Sequence, residues 1–201
     1  MNILLDPLPC RVEVGGVFYG INPDFRVMVR LELRALEGEG IWESLNEFYL
    51  EMPEDAAGAL VEMVRFYRCY GGVGSGGKNR PDTSRHLYKE GRHIPVYSFE
   101  ADAGRIYSAF WQQYGIDLCE TECLHWFKFR NMFLSLAEDT EIVRVMQYRG
   151  TDLNGIRDRD MKEFYRARQK EYAIPLTKTE REQLRAIERA LEGSGDLDGI
   201  I

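Results

Sequence analysis

Between Glu120 and Ala137 the chain carries apolar side chains on nearly every side of a helix. Such a helix needs other elements around it, so this segment predicts a buried central helix. Arg130 lies almost opposite the helix's one polar strip, among aromatic residues. Because an unpaired guanidinium is costly to bury, we predict a structural ion pair between Arg130 and a carboxylate. The candidate partners are Glu100, Asp102 and Asp117. A buried anion-binding site is the functional alternative.

Amphipathic stretches on both sides of the central segment predict further helices, because their apolar residues recur every three to four positions. These stretches cover residues 25–36, 41–51, 53–70, 98–114, 141–149 and 157–174, and a last helix from about Thr177. Near the N-terminus, Gly15 and Gly16 separate two short alternating runs, as in a two-residue hairpin turn. We therefore expect a mainly α, multi-helix domain with one small N-terminal β-hairpin.

Changes in composition divide the chain into four regions. Residues 1–70 hold the hairpin and the first helices, and residues 71–96 form a Gly-rich insert. The insert carries five basic and two acidic residues, which predicts a flexible cationic segment. Residues 97–192 form the central and C-terminal helical region, which we expect to make one globular unit with 1–70. Residues 193–201 are predicted to be a disordered tail.

Bulk composition limits the classes of function. The formal net charge of -7 argues against a nucleic-acid partner, since phosphate binding needs an excess of Lys and Arg. No apolar run is long enough to span a membrane, and the N-terminus has no basic region typical of a signal peptide. The four cysteines form no Cys-x-x-Cys pair. We expect reduced thiols and a cytoplasmic protein.

The segment Gly72–Lys78 has the spacing of a phosphate-binding loop, but its context argues against that function. The loop follows a predicted helix instead of a strand, and Asn79 stands where a magnesium-binding Ser or Thr belongs. Pro81 then prevents the loop from leading directly into a helix. A flexible linker is the simpler interpretation.

Two Glu-x-x-His spacings are the best sequence argument for an enzyme, since such pairs supply half of a di-iron carboxylate site. The pairs are Glu90 with His93, and Glu122 with His125. A complete site also needs two further inward-facing glutamates, and Gly91 makes a helix around His93 unfavourable. We therefore predict no catalytic, cofactor-binding or metal-binding residues. A metal-dependent enzyme of the di-iron type remains the least favoured alternative.

Several ordered motifs resemble the bacteriophage gene-product-fifteen family of tailed phages and prophages. They are Tyr97–Asp102, Ile106–Tyr107, Phe110–Leu118, Leu124–Arg130, Met146–Arg149, Asp152–Leu153 and Lys170–Pro175, preceded by Asp6–Pro9, the hairpin and Ile21–Arg26. The similarity covers most of the chain apart from the insert and the tail. Phe127 and Cys119 depart from the family pattern, which favours Trp and a hydroxyl residue at these two positions.

The resemblance implies a siphovirus tail-assembly chaperone in the cytoplasm of the bacterial host. Its partners would be the tape-measure protein, the major tail protein or both, and no catalytic residues or cofactor come with the family. A structural tail component retained in the virion is the alternative. Homo-oligomerisation stays open.

For the partner-binding surface we favour the second helix and the last helix. The residues are Ile41, Trp42, Leu45, Phe48 and Tyr49, together with Leu184, Ile187 and Leu191. The competing interpretation is that these faces pack on the core.

Overall fold

The computed structural model describes residues 2–38, 40–70, 95–176, 180–182 and 185. The fold is mainly α with one antiparallel hairpin at the N-terminus, which confirms the predicted fold class. In chain order the elements are β1 (Arg11–Val14), β2 (Val17–Gly20), α1 (Phe25–Glu37), α2 (Ile41–Phe48), α3 (Ala56–Tyr67), α4 (Ala103–Tyr114), α5 (Trp126–Leu134), α6 (Glu141–Gly150) and α7 (Arg159–Glu171). A short 3-10 turn, Leu153–Gly155, precedes α7.

Residues 180–182 and 185 are helical, within the segment where a last helix is predicted. Residues 71–94 of the predicted insert and the whole of the tail lie outside the described residues, so the four-region division stays a prediction. One hydrophobic core contains residues from both sides of the insert, from Val12 in β1 to Ile142 in α6.

The hairpin turns at Gly15 and Gly16, whose φ angles of 59° and 84° are positive, as the predicted two-residue turn requires. Val12 and Val14 are buried, whereas Arg11 and Glu13 are exposed. Side chains that alternate in this way give the hairpin one face toward the core and one face toward solvent.

Helix α5 is the central element of the core, as predicted. Phe129 is 1% exposed and stacks on Phe25, Phe110 and Trp126, with ring centroids 4.5, 5.0 and 5.8 Å away. The helix is shorter than predicted because the chain before it forms turns: the Asp117 carboxylate accepts hydrogen bonds from the backbone N–H groups of residues 119 and 120. These turns place the start of α5 at Trp126.

Helices α1 and α5 begin side by side, held by a short backbone bridge. The N–H of Phe25 donates to the carbonyl of Leu124 at 2.9 Å, and the N–H of Trp126 donates to the carbonyl of Pro23 at 2.7 Å. Asp24 completes the junction, because its carboxylate caps α1 through the N–H of residue 26 and also accepts from the N–H of Leu124 at 3.1 Å.

Arg26 adds further contacts to the junction between the starts of α1 and α5. Its guanidinium pairs with Asp24 at 3.0 Å and donates to the carbonyls of Leu118 and Thr121 at 2.8 and 2.9 Å. The turns before α5 are thereby fastened to the first turn of α1.

Replacing Asp24 with alanine removes the cap of α1, the acceptor for Leu124 and the anionic partner of Arg26. We expect the free energy of unfolding to fall by about 2–4 kcal/mol, because a buried N–H loses its acceptor together with the cap. Urea denaturation followed by circular dichroism measures this change. Asp55→Ala is the matched control: Asp55 is exposed and caps α3 through Gly58 alone, so its loss should cost about 1 kcal/mol. Equal losses in the two variants would contradict the role of Asp24.

Candidate partner-binding surfaces

The predicted ion pair of Arg130 is wrong. Arg130 is partly exposed on α5 and lies beside the Cys69 thiol, whose pKa is raised by burial. Among the described residues no carboxylate pairs with Arg130. Asp102 pairs with other arginines, Asp117 accepts from the Tyr107 hydroxyl at 3.2 Å, and Glu100 is exposed to solvent. Solvent at the rim of α5 removes the need for a buried partner.

Among the residues that the structure describes, Arg149 is the buried arginine. Its guanidinium makes a two-pronged contact with Asp102, at 2.5 Å to Oδ2 and 3.1 Å to Oδ1, and the Asp102 side chain is 0% exposed. The sequence does contain a signal for the burial of Arg149. Arg149 follows Ile142 and Val145 by seven and four positions, so it extends the apolar face of α6.

The Asp102–Arg149 pair connects four parts of the chain. Arg149 also donates to the carbonyl of Tyr172 at 2.6 Å, just after α7, and to the carbonyl of Val96 at 3.1 Å. Asp102 stands at the N-terminus of α4, where it accepts from the N–H of Ser98 at 2.9 Å. The pair therefore fixes α4, α6, the end of α7 and the segment that leads into α4.

The electrostatics of Asp102 favour its charged form. Burial by itself would raise the pKa of this carboxyl, but the hydrogen bonds from Arg149 and from the Ser98 N–H, with the charges of Arg149 and Arg105, lower it below its usual value. A carboxylate so well compensated is a structural anion and has no free lone pair directed at solvent.

His125 caps α5 with its imidazole ring. Its Nδ1 accepts from the N–H of Phe127 at 3.1 Å, so the proton resides on Nε2, which donates to the carbonyl of Pro9 at 3.0 Å. Both ring nitrogens are therefore occupied, and Glu122 is exposed. The other Glu-x-x-His pair, Glu90 with His93, and the loop Gly72–Lys78 lie outside the described residues.

The environment of His125 disfavours a charged ring. Burial is the largest cause and lowers its pKa below 6.5; the Pro9 carbonyl acts in the opposite direction, and the charge of Lys128 lowers the pKa further. The neutral ring is also what the cap requires, because a protonated Nδ1 cannot accept the N–H of Phe127.

The predicted partner surface on α2 is largely wrong. Leu45, Phe48 and Tyr49 are 1%, 0% and 4% exposed, because this side of α2 packs on α1 and α3. Ile41 is partly buried, and Trp42 alone of the five is prominent, at 62% exposed. The residues proposed on the last helix, Leu184, Ile187 and Leu191, lie outside the described residues.

Helix α7 provides a different exposed apolar surface. None of its residues is buried, and Tyr148 of α6 packs against it through the rings of Phe164, Tyr165 and Tyr172. Only part of its apolar face is covered by this contact. Met161 and Phe164 remain 49% and 43% exposed, and Leu176 beyond the helix is 46% exposed. We call Met161, Phe164 and Leu176 the α7 stripe.

One basic side chain of α7 lies against this stripe, and the others lie on another face of the helix. The helix contains five basic and three acidic residues, so it is locally cationic in a chain of net charge -7. Arg168 lies over the Phe164 ring at 5.3 Å and pairs with Glu171 at 2.6 Å. Lys162, Arg166 and Lys170 make no ion pair within the described residues.

No helix in the described part of the chain is long and apolar enough to cross a membrane. The same residues bring no three potential metal-ligating side chains together.

The described residues thus define a mainly α domain with an N-terminal hairpin and an apolar stripe on an outer helix. A model of the family described as Bacteriophage Gp15 protein matches residues 4–174, a range that includes both strands and helices α1 to α7. The chain belongs to this family, as the motifs predicted, and the family implies a phage structural or assembly role. No curated protein and no solved structure matches the chain.

Replacing Arg149 with methionine leaves the buried Asp102 without its main partner. We expect the free energy of unfolding to fall by about 3–5 kcal/mol, since an uncompensated buried charge is strongly destabilising. Asp102→Asn should cost a similar amount, and the double variant should cost clearly less than the sum. Urea denaturation measures all three. Arg159→Met is the control, because Arg159 and Glu163 form an exposed pair expected to contribute less than about 1 kcal/mol. Additive losses would show that the two residues act separately.

The His125 cap makes stability depend on pH. Because the folded-state pKa lies below the unfolded value of 6.5, the unfolded chain binds a proton first as the pH falls. The contribution of His125 to stability should therefore be fully present well above pH 6.5 and decrease as the pH falls through 6.5. His125→Asn keeps a side-chain acceptor at the cap but does not titrate, so it should lose this part of the pH dependence. Urea denaturation of both proteins at several pH values measures this difference. Parallel profiles of stability against pH would contradict the role of His125.

Proposed function

We propose that the protein is a tail-assembly chaperone that binds the tape-measure protein, the major tail protein or both in the cytoplasm of the bacterial host. In this proposal it acts by binding alone, without catalysing a reaction and without a cofactor. Membership of the Gp15 family supports an assembly role, and the α7 stripe is the observation that supports binding.

The chemistry of α7 indicates the kind of partner. Met161 and Phe164 lie one turn apart on the helix, which suits the apolar positions of a second helix packed along α7. Lys162, Arg166 and Lys170, which pair with no described carboxylate, recur every four residues on another face of α7 and would attract acidic residues of the client outside the apolar contact. We therefore propose that the binding segment of the client is an amphipathic helix, accompanied by acidic residues outside its apolar face.

Co-expression with the tape-measure protein from the same phage or prophage tests this proposal. We expect the wild-type protein to increase the soluble fraction of the tape-measure protein and to co-purify with it. The double variant with Met161→Asp and Phe164→Asp should lose at least about 90% of the co-purified client, because two charges would enter an apolar contact.

Two control variants locate the contact. Trp111→Asp changes an apolar side chain on α4 that is 55% exposed, and it should bind the client as the wild type does. Trp42→Asp tests the surface predicted on α2. If Trp42→Asp loses binding and the α7 double variant keeps it, the client binds at α2 and not at α7. Circular dichroism confirms that each variant is folded.

Purified phage particles separate a chaperone from a structural tail component. A chaperone that leaves after assembly should be absent from mature tails by mass spectrometry. Stoichiometric amounts in the particle would instead support the structural alternative.

A further inference from the structure

The hairpin exposes a second apolar surface, remote in sequence from α7. Phe18 is 61% exposed on β2, and Leu50, just beyond α2, is 75% exposed. Gly20 connects them: the N–H of Leu50 donates to the Gly20 carbonyl at 3.0 Å, and Leu50 Cδ1 lies 3.1 Å from where a Cβ on Gly20 would stand. Leu50 therefore covers the place that a Gly20 side chain would occupy, beside Phe18.

One cation and one anion share this face of the hairpin. In the strand register Arg11 lies directly across from Gly20, and Glu13 lies directly across from Phe18. These four residues are therefore on the side of the hairpin opposite the buried Val12 and Val14. We call Arg11, Glu13, Phe18 and Gly20 the outer face. The Arg11 guanidinium lies over the Phe18 ring at 5.2 Å, and neither Arg11 nor Glu13 forms an ion pair with any described residue.

An open groove of about 490 Å³ borders the outer face, between the hairpin and α3. Its α3 side carries Glu62 and Arg65, which again are one charge of each sign. Glu62 and Arg65 pair with each other at 2.6 Å, which leaves Arg11 and Glu13 without an ion pair among the described residues. A partner of a single charge sign would leave one of these two without a counter-charge. The surface instead suits a partner with the same alternation of charges.

A second copy of the chain meets this requirement by symmetry. Two outer faces can be stacked so that a two-fold axis lies between them, perpendicular to the strands and directly above the Val12–Tyr19 pair. The strands of the two copies then run antiparallel to each other. Residue 11 of each copy then faces residue 13 of the other, which brings Arg11 to Glu13 twice. Residue 18 likewise faces residue 20, so each Phe18 ring lies against the Leu50 side chain that covers the Gly20 of the other copy.

From this complementarity of shape and charge we propose that the outer face is the interface of a homodimer. The interface is isologous, with Phe18 as its apolar centre and Arg11 and Glu13 as its reciprocal ion pairs. This inference does not depend on the proposed chaperone function, because it uses neither α7 nor a client.

Sedimentation velocity of the full chain between about 5 and 500 µM tests the proposal, since a patch of this size predicts a weak dimer with a Kd of roughly 10–100 µM. Arg11→Glu and Glu13→Arg should each raise the Kd at least about tenfold, because like charges then face each other twice. An equimolar mixture of the two variants should recover a dimer with a Kd within about threefold of the wild type, as each glutamate again faces an arginine.

Two further variants test the apolar centre of the interface and provide a control. Phe18→Asp should also abolish the dimer, whereas Arg159→Glu on the far helix α7, 88% exposed, should leave the Kd unchanged. Circular dichroism verifies folding, and the mixture experiment reports on the interface even if one variant is destabilised. A wild-type chain that stays monomeric overturns the proposal. Charge variants that dimerise like the wild type, or a mixture that stays monomeric, overturn it as well.

Discussion

The buried pair of Asp102 and Arg149 is the constraint on which the C-terminal half of the fold depends. A carboxylate that is 0% exposed is tolerable only because the guanidinium meets both of its oxygens. The same guanidinium satisfies the carbonyls of Val96 and Tyr172, which lie at the two ends of this half of the chain. The ion pair therefore helps to fix the position of α7 and the orientation of the α7 stripe, together with the packing of Tyr148 on that helix.

The N-terminal half is joined to this framework by hydrogen bonds at the starts of two helices. Asp24 caps α1 and holds Leu124, while His125 caps α5 and holds Pro9. Both residues use one side chain to serve two separate segments, so backbone groups that would otherwise be buried without partners are satisfied. The aromatic stack around Phe129 forms where these two helices are brought together.

The residues that identify the family and the residues that build these junctions are largely the same. Asp102 and Arg149 each end one of the motifs that resemble the family, and Asp24 and His125 lie within two others. The exposed side chains Trp42, Met161 and Phe164 lie outside every one of those motifs. The motifs thus record the fold, whereas the α7 stripe consists of surface residues that the motifs do not contain.

Local patterns in the sequence were enough to predict the glycine turn of the hairpin, most of the helices and the buried helix α5, since these depend on backbone geometry and on apolar spacing. Such patterns could not show which charged residue is buried. Arg130 and Arg149 both stand on apolar helix faces, yet Arg130 reaches solvent and Arg149 meets Asp102, 47 positions away. They also could not show that Leu45 and Phe48 face the core while the α7 stripe stays open. An amphipathic pattern marks a face that some neighbour can cover, and only the packing of distant elements decides whether that neighbour lies within the chain.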